Sequence, residues 1–121
     1  MKRIIVIEDD KVLLTMYQVF LTLEGYEAVL YTTGTSILNN NFPEPDLFIL
    51  DYNLPGGITG LDICRAIRKN RHLLTTPVIM ISSNRVPTWQ LISAGINDFM
   101  MKPFDPRKLS ILIQKWLNLI K

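Results

Sequence analysis

The sequence predicts a doubly wound α/β domain, and three observations carry that prediction. Short apolar runs alternate with longer segments of helical period, and this unit recurs five times. The runs Ile4 to Ile7, Leu47 to Leu50 and Val78 to Ile81 show almost no polar alternation, as strands buried on both faces of a parallel sheet require. The alternation spans the whole chain, so right-handed crossovers would place helices on both faces of one sheet. Residues 1–121 read as a single domain, long enough to bury a real core.

Each element has its own signal. The first strand, Ile4 to Ile7, runs into Glu8-Asp9-Asp10. Leu13, Met16, Phe20 and Leu23 then recur at helical spacing, and Gly25 stops that helix as a C-cap would. Ala28 to Tyr31 is the second strand, followed by a short, weakly marked helix over Thr35 to Asn40. The third strand, Leu47 to Leu50, delivers Asp51. Thr59 precedes a helix from Gly60 to Arg68, whose apolar face is Leu61 or Ile63 with Ala66 and Ile67. The fourth strand, Val78 to Ile81, delivers Ser82-Ser83. The fifth strand, Asp98 to Met101, delivers Lys102-Pro103. Asp105-Pro106 then opens the last helix as a cap followed by proline at the first helical position, with Leu109, Leu112, Ile113, Trp116 and Ile120 as its stripe.

Composition excludes several classes of function. Hydrophobic residues at 48% and charged residues at 20%, without low-complexity tracts, argue against disorder. A net charge of +2 spread along the chain gives no support to nucleic-acid binding by this domain. Ile4 to Ile7 meets three acids where a signal peptide needs a longer apolar stretch, and nothing approaches the roughly 20 apolar residues of a membrane span. Together with the single cysteine, Cys64, this predicts a cytoplasmic location. Cys64 reads as packing or surface and His72, the only histidine, as a loop residue, so a zinc site is not expected.

In doubly wound sheets ligands bind at the carboxyl ends of the strands. Those ends carry Glu8-Asp9-Asp10, Asp51, Ser82-Ser83 and Lys102. Three or four carboxylates gathered there repel one another, and a hard divalent cation such as Mg²⁺ is the simplest compensation. Lys102 adds a point charge able to hold a phosphate oxygen. A carboxylate is a competent nucleophile toward phosphorus once its approach is cleared of negative repulsion, so the set points to phosphoryl transfer onto Asp51.

The motifs Val6-Ile7-Glu8-Asp9-Asp10, Leu50-Asp51-Tyr52-Asn53-Leu54-Pro55-Gly56, Val78-Ile79-Met80-Ile81-Ser82-Ser83 and Lys102-Pro103-Phe104 occur in this order. Through them the whole chain resembles the receiver domain of two-component response regulators, of the chemotaxis-regulator type. The resemblance implies a five-stranded parallel sheet of flavodoxin-like strand order 2-1-3-4-5. It implies a phosphorelay domain, with no enzymatic turnover beyond self-catalysed phosphorylation and slow self-dephosphorylation. It assigns Asp51 as phosphoacceptor and metal ligand, Asp9 as direct and Glu8 as water-mediated metal ligand, and the Asn53 backbone carbonyl as a further ligand. Ser82 would hydrogen-bond the phosphoryl group, Lys102 would pair with it, and Ser82 with Phe99 would form the switch. The Lys102–Pro103 peptide would be cis.

Expected partners are a sensor histidine kinase or histidine phosphotransfer protein, and a homodimer or output protein on the face of helix four, strand five and helix five. On that face Trp89 and Ile111 are the apolar candidates. Asp10 reads better as a helix cap than as a metal ligand, and Phe99 reads equally well as switch or as core. The loop after Asp51 is longer than the family pattern, and the stretch from Ser82 to Gly95 is shorter, which leaves helix four about two turns. A haloacid-dehalogenase-type phosphatase would want an aspartate where Asn53 stands. A flavin binder would want a phosphate loop where the three acids stand.

Overall fold

Four consecutive apolar residues, Ile4 to Ile7, offer no polar face to water, and the chain buries all of them completely in strand β1 (Arg3–Ile7). The computed structural model describes residues 1–118. In it β3 (Leu47–Asp51) and β4 (Val78–Ser82) are likewise buried along their whole length. The flanking strands β2 (Glu27–Tyr31) and β5 (Asp98–Met101) are partly exposed, as sheet edges. All pairings are parallel and the strand order is β2-β1-β3-β4-β5, as the family resemblance implied.

Successive residues of a strand face opposite sides, so one sheet builds two cores. On one face Ile5, Ile7, Phe48, Leu50, Val78 and Met80 pack under α2 (Thr35–Leu38), α3 (Gly60–Arg68) and α4 (Thr88–Ala94). On the other, Ile4, Val6, Leu47, Ile49, Ile79 and Ile81 pack under α1 (Lys11–Leu23) and α5 (Pro106–Trp116). Helix α4 has seven residues, matching the two turns expected from its short segment. Cys64 is buried in the first core, and burial pushes its thiol up to about 11, so it behaves as packing. His72 is exposed in the α3–β4 connection.

The structure corrects two helix faces. The α1 residues fully buried are Tyr17 and Leu21, whereas Leu23 is 82% exposed. The four-residue step from Leu13 through Tyr17 to Leu21 is the line that meets the sheet, and Leu23, two residues on, falls on the opposite side. Ile111 is 57% exposed, but it shares a groove with Phe20, Leu23, Glu24 and Ser110, on the α1 side of α5. It therefore does not belong to one patch with Trp89 on α4. Helix α2 ends at Leu38 rather than Asn40, which takes positive φ. Ile120 lies outside the described residues.

Caps set the helix starts beside the site. Asp10 Oδ1 accepts the Val12 and Leu13 amides, so Asp10 is spent as the α1 N-cap. Thr59 forms a capping box with Asp62 and starts α3 at Gly60, beyond the longer loop, which makes a 3₁₀ turn at Pro55–Gly57. Gly60 lies against β3: a Cβ there would collide with the Asp51 carbonyl oxygen and with Met80 Cε. Gly60→Ala should therefore cost about 1–3 kcal/mol in chemical denaturation. A variant as stable as the parent would mean that α3 has room to move away from Asp51.

Candidate functional site

The register of the parallel strands gathers the polar residues. Ile7 pairs with Leu50, so Glu8 and Asp51 follow side by side, and Asp51 pairs with Ile81, one residue before Ser82. Ser82 in turn pairs with Met101, one residue before Lys102. Residues remote in sequence thus meet at the carboxyl edge of three central strands and one edge strand. One carboxylate oxygen from each of Glu8, Asp9 and Asp51 lies within 4.8 Å of the others.

Lys102 holds two of these acids. Its Nζ donates to Glu8 Oε1 at 2.9 Å and stands 3.2 Å from Asp51 Oδ2. Glu8 is almost fully buried, Asp51 nearly so, and Asp9 is exposed. The second oxygen of Glu8 accepts the Asp10 amide at 3.1 Å, and Asp51 Oδ1 accepts the Asn53 amide at 3.4 Å. Burial pushes the Glu8 carboxyl up to about 7, with the Asp51 charge adding to the rise and the bonds from Lys102 and Asp10 opposing it. For Lys102, burial alone would lower the ammonium, but Glu8 and Asp51 outweigh it and raise the group. Three carboxyl groups face one ammonium, so acid is in excess over base at this edge. An all-oxygen donor set with that excess and one open, exposed acid fits a hydrated Mg²⁺.

Ser82 is fully buried at the end of β4. Its Oγ accepts the Asn84 amide at 2.9 Å and makes no hydrogen bond to Asp51 among the described residues. Asn53 is exposed, and its side-chain amide donates to Asn84 Oδ1 at 3.4 Å, joining the loops after β3 and β4. Its backbone bridges to Thr59, which closes the longer loop into a staple beside Asp51. Phe99 lies away from the acids, partly buried against the α3-side core. It borders a cavity of about 630 Å³ with Val86, Pro87, Leu91 and Met101. The Lys102–Pro103 peptide is cis. Sequence reasoning missed the supporting contacts: the Asp10 amide on Glu8, the Thr59 bridge and the approach of Gly60. Only Thr59-Gly60-Leu61-Asp62, a capping-box spacing, announced any of them.

The family model described as response regulator receiver domain matches residues 4–114. The DNA-binding response regulator MtrA of Mycobacterium tuberculosis is 33% identical over 111 residues, which are 89% of this chain and 47% of that protein. The alkaline phosphatase synthesis transcriptional regulatory protein SphR of Synechococcus elongatus is 34% identical over 119 residues, 88% of this chain and 45% of that protein. The chain thus spans about half the length of these curated relatives. Among solved structures, the receiver domain of a sensor histidine kinase from Pseudomonas aeruginosa PAO1 superposes with a TM-score of 0.85 at 26% identity, covering 97% of this chain and 98% of that one. That structure has a magnesium ion coordinated in its active site cleft. A CheY-like receiver domain protein from Methanospirillum hungatei gives a TM-score of 0.87 at 26% identity, covering 98% and 95% of the two chains.

Proposed function

Because the chain belongs to the response regulator receiver family, whose members are signalling domains rather than classical enzymes, we propose that it takes a phosphoryl group onto Asp51 and relays the signal by a change of conformation. The observation that carries this reading is the meeting of Glu8, Asp9 and Asp51 around the ammonium of Lys102. Exposed Asp9, Asp51 and the Asn53 carbonyl would be the direct ligands of Mg²⁺, and Glu8, almost fully buried and bonded to Lys102 and to the Asp10 amide, an outer one. When bound, the cation neutralises the charge that would otherwise repel an incoming phosphate.

The chain's own residues do the rest. A carboxylate oxygen of Asp51 attacks phosphorus, an O–P bond forms, and the bond from phosphorus to the donor's imidazole nitrogen breaks and leaves neutral histidine after proton uptake. Lys102 Nζ, 3.2 Å from Asp51 Oδ2, is positioned to follow the new negative charge onto a phosphoryl oxygen. The Ser82 hydroxyl accepts from Asn84 and still has its own proton to donate, which it offers to a second phosphoryl oxygen. Movement of Ser82 and of the loop behind it then frees Phe99 to turn into its neighbouring cavity, the switch step of this reading.

The donor is a sensor histidine kinase or a histidine phosphotransfer protein of a two-component system, in the cytoplasm. Output passes to a second copy or to an effector through the α4, β5 and α5 face, where Trp89 is 69% and Ile92 71% exposed. No nucleic acid or membrane contact is assigned to residues 1–118, and no described helix is long and apolar enough to cross a membrane. The test is incubation with acetyl phosphate. Mg²⁺-dependent uptake of one hydroxylamine-labile phosphoryl group per chain is expected, and uptake indifferent to chelation would count against the metal assignment.

A further inference from the structure

The two ends of α4 are held very differently. At its start Pro87 provides no side-chain cap, and the segment before it is tied to the site by the bond from the Asn84 amide to Ser82 Oγ. Beside this end opens a cleft of about 630 Å³ bordered by Arg85, Val86, Pro87, Thr88 and Phe99. At the other end the helix closes in a Schellman motif. The Gly95 amide donates to Ile92 O at 3.0 Å and the Ile96 amide to Leu91 O at 2.9 Å, with Gly95 at φ +90°.

That closed end is then bonded to the rest of the fold through Arg68, the last residue of α3. Its guanidinium donates five hydrogen bonds. Nε and Nη2 reach Gly95 O at 3.1 and 2.8 Å, Nη1 reaches Leu73 O and Thr76 O at 2.7 Å each, and Nη2 also reaches Asn97 Oδ1 at 2.8 Å. No carboxylate pairs with it among the described residues, so its charge is spent wholly on these carbonyl oxygens. Asn97 extends the clamp, since its Oδ1 also accepts the Val78 amide at 2.7 Å and its own amide donates to Val78 O at 2.9 Å. One arginine therefore ties the α4 C-terminus to α3, to the α3–β4 connection and, through Asn97, to the first residue of β4. A planar donor fork of this kind is not replaced by an ammonium.

We propose that Arg68 makes the Gly95–Asn97 corner a fixed pivot, so that phosphorylation swings α4 from its Pro87 end while its C-terminal end stays in place. This rests on the receiver reading of Asp51. The signal enters at Ser82, reaches the uncapped end of α4 beside that cleft, and is converted into rotation because the far end is clamped. Release of the clamp would turn the swing into a loosening of the whole helix.

Residue-resolved amide exchange on the full chain, with Mg²⁺ and with or without beryllofluoride as a stand-in for the phosphoryl group, tests this. Expected are altered rates over residues 84–91 and unchanged rates at Gly95, Ile96 and Asn97. In Arg68→Lys those three amides should exchange about tenfold faster, and beryllofluoride should alter them together with residues 84–91. Equal changes at both ends of α4 in the parent chain would overturn the pivot. Parent-like protection and pattern in Arg68→Lys would overturn the role of the arginine. Should that variant not fold, the parent-chain comparison decides alone. Failure of the receiver reading itself is seen separately, as absence of a Mg²⁺-dependent fluorine resonance of bound beryllofluoride, and it would remove the proposal with it.

Discussion

Asp51→Asn should lose phosphoryl uptake from acetyl phosphate down to the uncatalysed background, while the domain stays folded. The amide is nearly isosteric with the carboxylate but has no anionic oxygen to attack phosphorus. The fold survives because the asparagine side chain fills the same space at the end of β3, and Lys102 keeps its shorter contact to Glu8 at 2.9 Å. Unfolding free energy should change by no more than about 1 kcal/mol, the range of a substitution that opens no cavity and strands no charge. Retained uptake with an unchanged melting curve would move the acceptor to another residue.

Lys102→Met has the largest expected effect on stability. Glu8 and Asp51 are buried beside this ammonium, and removal of one partner of a buried ion pair costs about 3–5 kcal/mol because the other charge is left uncompensated. Against a total of roughly 5–15 kcal/mol for a domain, that is a large share. The loss should depend on pH in metal-free buffer. Burial already raises Glu8 to about 7, and loss of the lysine bond raises it further. A carboxyl whose folded pKa exceeds its unfolded value stabilises the fold while protonated and loses that contribution as pH rises through the folded value. The variant should therefore be closer to the parent at pH 6 than at pH 8. Adding Glu8→Gln to Lys102→Met should recover part of the loss, because the stranded charge is gone. An equal deficit at both pH values, or no recovery, would mean that Lys102 acts by packing alone.

The sheet was legible because buried parallel strands leave an unmistakable trace. Ile4 to Ile7, Leu47 to Leu50 and Val78 to Ile81 are unbroken apolar runs, and all are fully or almost fully buried. The gathering of Glu8, Asp51 and Ser82 at one edge was legible for the same reason, since each is the first polar residue after one of those runs. Helix faces were harder. Spacing alone placed Leu23 with the α1 stripe, but two neighbouring lines of apolar residues share that helix, and only contact with the sheet selects Tyr17 and Leu21. Ile111 was recognised as lying off the α5 stripe, yet which neighbour it would face depends on α1, which no local pattern reports. The Arg68 clamp could not be read at all, because four of its five hydrogen bonds go to backbone carbonyls, whose positions are set by turns. From sequence, a basic residue in the last turn of a helix signals no more than dipole compensation.

The central claim is the chemical identity of the acceptor, and reductive mapping tests it most directly. After incubation with acetyl phosphate and Mg²⁺, borohydride converts an aspartyl phosphate to homoserine, which peptide mass spectrometry locates. The predicted result is homoserine at position 51 alone, absent when Mg²⁺ is chelated and absent from Asp51→Asn. Reduction at Asp9, Asp10 or Glu8, or phosphoryl label on a hydroxyl such as Ser82 that resists borohydride, would contradict it.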